Sequence, residues 1–343
     1  MANEDLNQTI RVATSQLKQL TDKAKVILVL QPEKPDTDSL GTSLALEQIL
    51  GDLGKEVVMY CQDAVPTYLR IFEGWDRVSD VFPAKFDFTI AVDFGDPQQM
   101  ERTLAKYATQ LQSKPFVIMD HHKTRKPMAF ASIDIIDPST AATGELVVKV
   151  CHELGWPINL AAAYAIVPSI LADTLGLSTP TTTAETVEVV AQMVRIGVDL
   201  AELRRRREIA GALEPDLLKY KGELLQRIEY HAEGRIALLV ITPEELTKYA
   251  DLHDPADLVN QEMRTVQGVQ IAAVLRNYNS TIYGRKIKIS MRANLPIAAK
   301  AAQHFGGGGH DQAAGCTVEG REPDEVKHEL VKVITPLLQD ATL

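Results

Sequence analysis

The sequence predicts an α/β protein with an N-terminal domain built on a parallel sheet and a smaller C-terminal α/β domain. In the first half of the chain, short apolar runs alternate with longer helix-like stretches, which is typical of parallel strands joined by helices. The chain has 343 residues, more than one average domain. A charged helical stretch begins near residue 199. We therefore expect domains over 1–200 and 234–343, joined by a helical connector over 201–233.

The elements of the first half follow from the period of the apolar residues. An amphipathic helix is predicted near 6–20, before a buried strand at 25–30. Ser39 or Asp38 is expected to cap the next helix, which runs to about residue 53. The remaining predicted strands and helices are, in order, strands at 57–60, 88–92, 116–119 and 133–136 and helices at 98–111, 141–154, 160–171 and 184–196.

The second half reads as a helical stretch followed by a second α/β unit. The predicted elements are a helix over 217–230, strands at 236–241, 271–275 and 286–291, and a closing helix over 323–338. The arginine run at 204–207 is interpreted as the solvated face of the connector.

Composition excludes several classes of protein. A net charge of −10 argues against a long duplex-DNA footprint, which needs a basic face. Cys61, Cys151 and Cys316 lack any CxxC spacing, so neither a disulfide framework nor a thiolate zinc site is indicated. The most apolar stretch, 160–172, is too short to span a bilayer and contains Pro168. We expect a soluble cytoplasmic protein.

Acidic and imidazole side chains stand where predicted strands or segments end. The triplet Asp120-His121-His122 follows the strand at 116–119. The other members of the set are Asp36 and Asp38, Asp93, and Asp173. Ligands bind outside the carboxyl ends of strands in open α/β sheets, so these side chains are candidates for one site. Taken singly, each aspartate is equally well explained as a helix cap or a turn residue.

Together, the four carboxylates outside the triplet and its histidine pair, at one sheet edge, favour a divalent metal, because like charges repel unless a cation neutralises them. Oxygen ligands mixed with imidazole suit Mn²⁺ better than Ca²⁺, with Mg²⁺, Co²⁺ or Zn²⁺ as competitors. Two such ions clamp the attacking and leaving oxygens of a phosphoryl displacement. The pattern thus predicts metal-dependent phosphoryl chemistry.

The same residues, with 306–309 and His310, resemble the DHH-DHHA1 phosphoesterase family, and the bacterial nanoRNase/pAp phosphatase type above all. The resemblance covers nearly the whole chain. It implies two metal sites bridged by Asp93, the first with Asp36 and the second with Asp38, His121 and Asp173. It also implies hydrolysis of short oligoribonucleotides such as nanoRNA and pApA, or of pAp, to mononucleotides. The resemblance is compatible with a homodimer.

Within this resemblance, His122 faces the substrate phosphate and Asp120 orients the histidines from behind. One position departs from the family motif, because Pro32 stands where a histidine ligates the first metal. Proline offers no side-chain ligand, so Gln31, Glu33 or water would have to take its place. We expect weaker metal binding there and activity that is reduced, altered in metal preference or lost.

The C-terminal domain carries the features expected of a nucleotide site. The four glycines Gly306, Gly307, Gly308 and Gly309 precede His310, and consecutive N–H groups of such a run form an anion-binding nest. The run lacks the Lys-Ser/Thr of a P-loop, which removes a nucleoside-triphosphatase interpretation.

Arg292 fits the family's substrate arginine, and a local basic patch surrounds it in sequence: Arg276, Arg285, Lys286 and Lys288. The expected arrangement has this domain hold the nucleotide while the first presents its metals across a cleft. The alternatives are a nucleotide-binding protein without catalysis, a cyclic-di-AMP phosphodiesterase and an inorganic pyrophosphatase.

Overall fold

The computed structural model describes residues 2–123, 126–249, 254–280, 284–309 and 311–340. The chain divides into two compact units, Met1–Ala212 and Leu213–Leu343. Each unit has its own sheet and its own apolar core. In the described part of the chain, every helix is too short or too polar to cross a membrane.

The first unit alternates strands and helices as predicted. Its elements are α1 (Ala2–Lys23), β1 (Val26–Leu30), α2 (Thr37–Asp52), β2 (Glu56–Tyr60), β3 (Phe88–Val92), α3 (Glu101–Gln112), β4 (Phe116–Asp120), β5 (Ile133–Ile136), α4 (Thr143–Leu154), α5 (Leu160–Asp173), α6 (Ala184–Ile196) and α7 (Leu200–Ala210). The sheet order is β2-β1-β3-β4-β5, and every neighbouring pair is parallel. The predicted fold class is confirmed.

Both faces of this sheet are buried, which explains the nearly continuous apolar character of its strands. Along β4, Val117 and Met119 join the core on the face covered by α2, α4 and α5. Phe116 and Ile118 join the core on the opposite face. Because side chains alternate between the two faces along a strand, the residue just after a strand points to the face opposite that of the last strand residue.

The second unit is a mixed sheet with helices. Its elements are α8 (Pro215–Gln226), β6 (Glu229–His231), β7 (Ile236–Ile241), α9 (Pro243–Tyr249), α10 (Asn260–Thr265), β8 (Ile271–Ser280), β9 (Gly284–Ala293), α11 (Ala298–His304), β10 (Gly308–Gly309), β11 (Ala313–Glu319) and α12 (Pro323–Asp340). The order is β10-β11-β9-β8-β7-β6, in which β7 and β8 are parallel and the other pairs antiparallel.

Sequence periodicity was wrong about parts of the second unit. The helix predicted to reach residue 230 ends at Gln226, and Glu229–His231 pairs with β7 instead. β10 and β11 were missed, because their glycine and alanine residues give almost no period-two apolar signal. The glycine run is therefore partly a strand at the sheet edge rather than a free loop.

Candidate metal centre

The predicted acidic and imidazole residues of the first unit lie together at the carboxyl edge of its sheet. β1 pairs with β3 and β3 with β4, so the segments after these three strands are neighbours. Asp173 reaches the same edge from the last residue of α5. The sheet order, rather than closeness in sequence, assembles the cluster.

Asp36 begins α2 and caps it. Its Oδ1 accepts hydrogen bonds from the backbone N–H of Asp38 and of Ser39, each at 3.0 Å. The hydroxyl of Ser39 accepts in return from the Asp36 N–H at 2.8 Å, which completes a capping box. The expectation that Ser39 or Asp38 is the N-cap is wrong by two or three residues. The cap uses Oδ1 of Asp36 and leaves its Oδ2 for another role.

Asp38 is buried, with 1% of its surface exposed. Its Oδ2 accepts from the N–H of Thr143 at 2.7 Å, and its Oδ1 accepts from the N–H of Gly144 at 3.1 Å. These donors are the first N–H groups of α4, whose positive dipole end favours a carboxylate. Burial, and then the charge of Asp173, nevertheless raise the pKa of Asp38 to about 6.

Asp93 follows β3 in a left-handed backbone conformation, with φ of 54°. A residue other than glycine held there stores strain, which is typical of functional sites. Its N–H donates to the carbonyl of Met119 at 2.9 Å, so the bend is tied to β4. Burial and the charges of Asp38 and Asp36 raise the pKa of Asp93 well above its usual range. A buried carboxylate under this repulsion needs a cation or a proton.

His121 contacts three carboxylates through one nitrogen. Its Nε2 lies 3.2 Å from Asp173 Oδ2, and 3.8 Å from both Asp38 Oδ2 and Asp93 Oδ1. Its Nδ1 faces the carbonyl of Thr140 at 3.4 Å. Burial lowers the pKa of His121, but the hydrogen bond with Asp173 and the charge of Asp38 outweigh it and raise that pKa to about 9. Nε2 is therefore the atom through which His121 would bind a metal ion shared with these carboxylates.

Asp120 is fully buried and holds His122. Its Oδ1 lies 2.6 Å from His122 Nδ1 and also accepts the N–H of His121 at 2.9 Å. Burial raises the pKa of Asp120, but the hydrogen bond and charge of His122 outweigh burial and lower it. Asp120 therefore orients the ring of His122, whereas Thr140 holds the ring of His121.

Two groups of side chains have ligand atoms within 4.8 Å of one another: Asp93 with His121 and His122, and Asp38 with His121 and Asp173. Carboxylate oxygens mixed with imidazole nitrogens fit a divalent ion of borderline hardness. Burial and mutual repulsion raise the pKa of Asp38 and of Asp93 although His121 lies beside both, so a divalent cation would stabilise the two carboxylates. The donor set therefore fits a divalent metal.

Asp36 belongs to neither group. It is close enough for its charge to raise the pKa of both Asp38 and Asp93.

Sequence reasoning missed the segment at the start of α4. Thr140 holds His121, the N–H groups of Thr143 and Gly144 hold Asp38, and the Thr143 hydroxyl lies 3.3 Å from Asp93 Oδ1. These contacts use backbone groups and a hydroxyl, so a search for ionisable residue types had no signal for them.

In the second unit, Gly307 and Gly309 allow β11 to approach closely. A Cβ added at Gly307 would lie 2.2 Å from the carbonyl oxygen of Gly315, and one at Gly309 would lie 2.6 Å from that of Ala313. Gly306 and Gly309 also have positive φ, at 71° and 138°. His310 lies outside the described residues. Close packing thus requires part of the glycine run, and ligand binding by it stays a prediction.

Arg292 lies in β9, opposite Ala313, and its Nη1 donates to the carbonyl of Met291 at 3.1 Å. The predicted basic patch beside it is mostly neutralised. The pairs are Arg276 with Asp254, Arg285 with Glu322, and Lys286 with Glu319, and Lys288 lies over the ring of Tyr278. The patch therefore presents less positive charge than its sequence indicates.

The interpretation of the arginine run as a solvated face holds for Arg204, Arg205 and Arg207, which are exposed, but not for Arg206. Arg206 is half-buried, bonds Glu202 at 2.8 Å and lies over the ring of Tyr164. Arg206 and Arg207 line a cavity of about 490 Å³ within the first unit, together with apolar side chains such as Leu171. The periodicity of charge on α7 gave no sign of this cavity.

A smaller hollow of about 210 Å³ adjoins that cavity, and both are lined by Ile71, Pro168 and Arg207. The hollow also contacts Thr37 and Ala172, which adjoin the aspartates of the cluster. The hollow therefore adjoins both the cavity and the segments that carry Asp36 and Asp173.

Comparison with known proteins gives two matching family models. One, described as the DHH family, N-terminal domain, matches residues 26–179, and the other, described as the DHHA1 domain, matches residues 242–340. The bifunctional oligoribonuclease and PAP phosphatase NrnA of Thermus thermophilus is 28% identical over 305 residues, which are 88% of this chain and 86% of the relative.

A probable manganese-dependent inorganic pyrophosphatase of Lactobacillus acidophilus is 27% identical over 233 residues, covering 63% of this chain and 71% of the relative. Among solved structures, an exopolyphosphatase-related protein from Bacteroides fragilis has a TM-score of 0.83 at 23% identity, covering 96% of this chain and 98% of the other. That structural likeness supports the fold.

Proposed function

The chain belongs to the DHH family of phosphoesterases and carries a DHHA1 domain, and from this we propose that it is a metal-dependent hydrolase of short oligoribonucleotides, such as pApA, and of pAp. The observation that carries the proposal is the pair of ligand groups that share His121. The relative from Thermus thermophilus bears the name of an oligoribonuclease and PAP phosphatase, which supports this substrate class.

We propose Mn²⁺ as the metal, held by Asp36, Asp38, Asp93, His121 and Asp173. When bound, a pair of such ions supplies a hydroxide near neutral pH and neutralises charge on the phosphoryl oxygens. The name of the Lactobacillus acidophilus relative, a manganese-dependent pyrophosphatase, favours Mn²⁺ over Mg²⁺ or Co²⁺.

We assign His122 to the substrate phosphate. Asp120 engages its Nδ1 at 2.6 Å, so the carboxylate holds the Nδ1 proton, and Nε2, when it also carries a proton, would donate to a phosphate oxygen. The side chain is 29% exposed, whereas Asp120 is fully buried. His122 is therefore accessible to a substrate, and its hydrogen bond with the buried Asp120 fixes the orientation of its ring.

The cavity lined by Arg206 and Arg207 supports a nucleotide as substrate. Its volume lies within the usual range for small-molecule sites. Apolar side chains suit a base, and the guanidinium of Arg207, which lines both the cavity and the smaller hollow, suits a phosphate. In the second unit, we propose that Arg292, the glycines 306–309 and His310 bind the substrate as well.

The test is hydrolysis of pApA, pAp, cyclic di-AMP and pyrophosphate with Mn²⁺ by the wild type and by Asp93→Asn. Asparagine tolerates the left-handed conformation at this position, so the variant keeps the fold while it loses the bridging charge. Glu188→Gln, an exposed charge removal on α6, is the matched control.

We expect turnover of pApA and pAp by the wild type and by Glu188→Gln, and a loss of at least about 100-fold in Asp93→Asn. Hydrolysis of pyrophosphate alone would replace the proposal with a pyrophosphatase. Absence of turnover on all four substrates, with retained pApA binding, would show a binding protein instead.

A further inference from the structure

Gln31 is an unexplained polar residue directly after β1. Only 1% of its surface is exposed, yet neither Oε1 nor Nε2 of its side chain has a hydrogen-bond partner among the residues that the structure describes. A buried amide without partners costs about 1–3 kcal/mol per unsatisfied group, so native proteins rarely keep one without a reason. We therefore expect a bound group to contact the side-chain amide of Gln31 in the functional protein.

The sheet register places Gln31 beside the metal centre. Its N–H donates to the carbonyl of Tyr60 at 3.1 Å, which extends the ladder beyond β1. Leu30 lies opposite Ala91, so Gln31 is level with Val92 and adjoins Asp93. Neighbouring strands are about 4.8 Å apart, a distance that a glutamine side chain easily spans.

Strand alternation also places the side chain of Gln31 on the face of the sheet that α2, α4 and α5 cover. Ile27 and Val29 join the core covered by α2, α4 and α5. Gln31 is the next residue of that alternate series, as His121 is after Val117 and Met119 on β4. Both side chains are thus directed to the face on which α2 presents Asp38.

The other residues of this loop are engaged elsewhere. Glu33 binds the Nε of Arg102 at 2.7 Å and the N–H of Thr103 at 2.8 Å. Pro32 has no donor atom in its side chain, and its carbonyl oxygen lies 3.3 Å from Cys61 Sγ. Of these three residues, Gln31 is therefore the one whose side-chain oxygen is still available to a ligand.

We propose that Oε1 of Gln31 is a ligand of the metal ion held by Asp36 and Asp93, in the role that an imidazole at position 32 would otherwise have. The inference rests on the proposed two-metal function. With Gln31 as a ligand, the protein ligands of this site are all oxygen atoms. The site formed by Asp38, His121 and Asp173 combines oxygen ligands with an imidazole nitrogen. Hard cations such as Mg²⁺ and Mn²⁺ prefer oxygen ligands, so the first site selects them over Zn²⁺ more strongly than the second site does.

The test measures metal binding without substrate, by calorimetric titration of the full chain with Mn²⁺ and by the electron paramagnetic resonance signal of free Mn²⁺. Gln31→Met keeps the length and volume of the side chain and removes both polar atoms. Gln31→Glu places a charged oxygen at the same position. Gln16→Met, an exposed change on α1, is the matched control.

We expect two Mn²⁺ ions in the wild type and in Gln16→Met. In Gln31→Met, the dissociation constant of one ion is expected to rise at least about tenfold, and in Gln31→Glu that ion binds more tightly. With EDTA, the melting temperature of Gln31→Met is expected to equal or exceed that of the wild type, because an unsatisfied amide is removed from the core. The rise in melting temperature on adding Mn²⁺ shrinks only in that variant.

Two unchanged Mn²⁺ affinities in Gln31→Met would overturn the inference and leave Gln31 a structural residue. A single ion in the wild type would overturn it as well. Since these measurements need no substrate, loss of one ion in Gln31→Met together with no nucleotide hydrolysis would retain the inference and reject the proposed function.

Discussion

Lowering the pH from 8.5 to 6.5 is expected to weaken Mn²⁺ binding at the site that contains His121 by about 100-fold. The hydrogen bond with Asp173 and the charge of Asp38 prevail over burial and raise the pKa of His121 to about 9. Below that pH the metal-free ring is protonated, and an ion must displace the proton from Nε2. Each pH unit below 9 therefore reduces the apparent affinity about tenfold, or about 1.4 kcal/mol.

Mn²⁺ binding tightens as the pH rises because the pKa of His121 is raised rather than lowered. A histidine with an ordinary pKa near 6.5 would be neutral over most of this range, and the affinity would change little above pH 7. Raising the pH toward 9 instead keeps tightening the binding at this site. Below pH 6, Asp38 also takes up a proton, because its pKa is raised to about 6, and the affinity falls more steeply.

The assay is calorimetric titration with Mn²⁺ in buffers of different ionisation enthalpy, which reports how many protons are released per ion. At pH 7 we expect release of at least one proton for the site that contains His121. Replacement of His121 by Asn should remove that release and flatten the pH dependence. An affinity that stays constant between pH 7 and 8.5, with no proton release, would refute the assignment of His121 as a metal ligand whose ring is protonated in the metal-free site.

Three further predictions concern positioning, packing and substrate binding. Asp120→Asn removes the charge that holds His122 at 2.6 Å, so kcat should fall about 10–100-fold while calorimetry still finds the same number of Mn²⁺ ions; loss of an ion would contradict this role. Gly41→Ala places a Cβ 2.6 Å from the backbone oxygen of Ala165, so urea unfolding should show a destabilisation of about 1–3 kcal/mol, and wild-type stability would refute the tight contact between α2 and α5. Arg207→Ala should raise KM for pApA several-fold with Mn²⁺ affinity unchanged, and an unchanged KM would remove the cavity from the substrate site.

Much of the first unit could be predicted because its strands are short, apolar and buried on both faces. The strand predicted at 116–119 is observed as Phe116–Asp120, with His121 and His122 directly after it. The N-cap of α2 was harder to predict, because Asp36, Asp38 and Ser39 are all good capping residues and only the backbone conformation decides among them. Residue type alone therefore could not identify which of the three residues is the N-cap.

The second unit was less predictable for physical reasons. β11 consists largely of small residues whose burial depends on close approach to β9 and β10, and this approach carries no signal in a single sequence. The charges of Arg276 and Arg285 are visible in the sequence, but their pairing with Asp254 and Glu322 is not. A local count of basic residues therefore overstated the positive charge.

By itself, the sequence determined the parallel α/β architecture, the family resemblance and the membership of the acidic and imidazole cluster, because periodicity and residue chemistry are local properties. Only the tertiary structure decided how the cluster is held. Asp120 lies against the ring of His122 and Thr140 against the ring of His121, α4 supplies two backbone donors to Asp38, and Gln31 is buried with no hydrogen-bond partner among the described residues. These outcomes depend on strand order and on the meeting of segments more than 100 residues apart in sequence, as for Asp38 and Thr143, so no local pattern contains them.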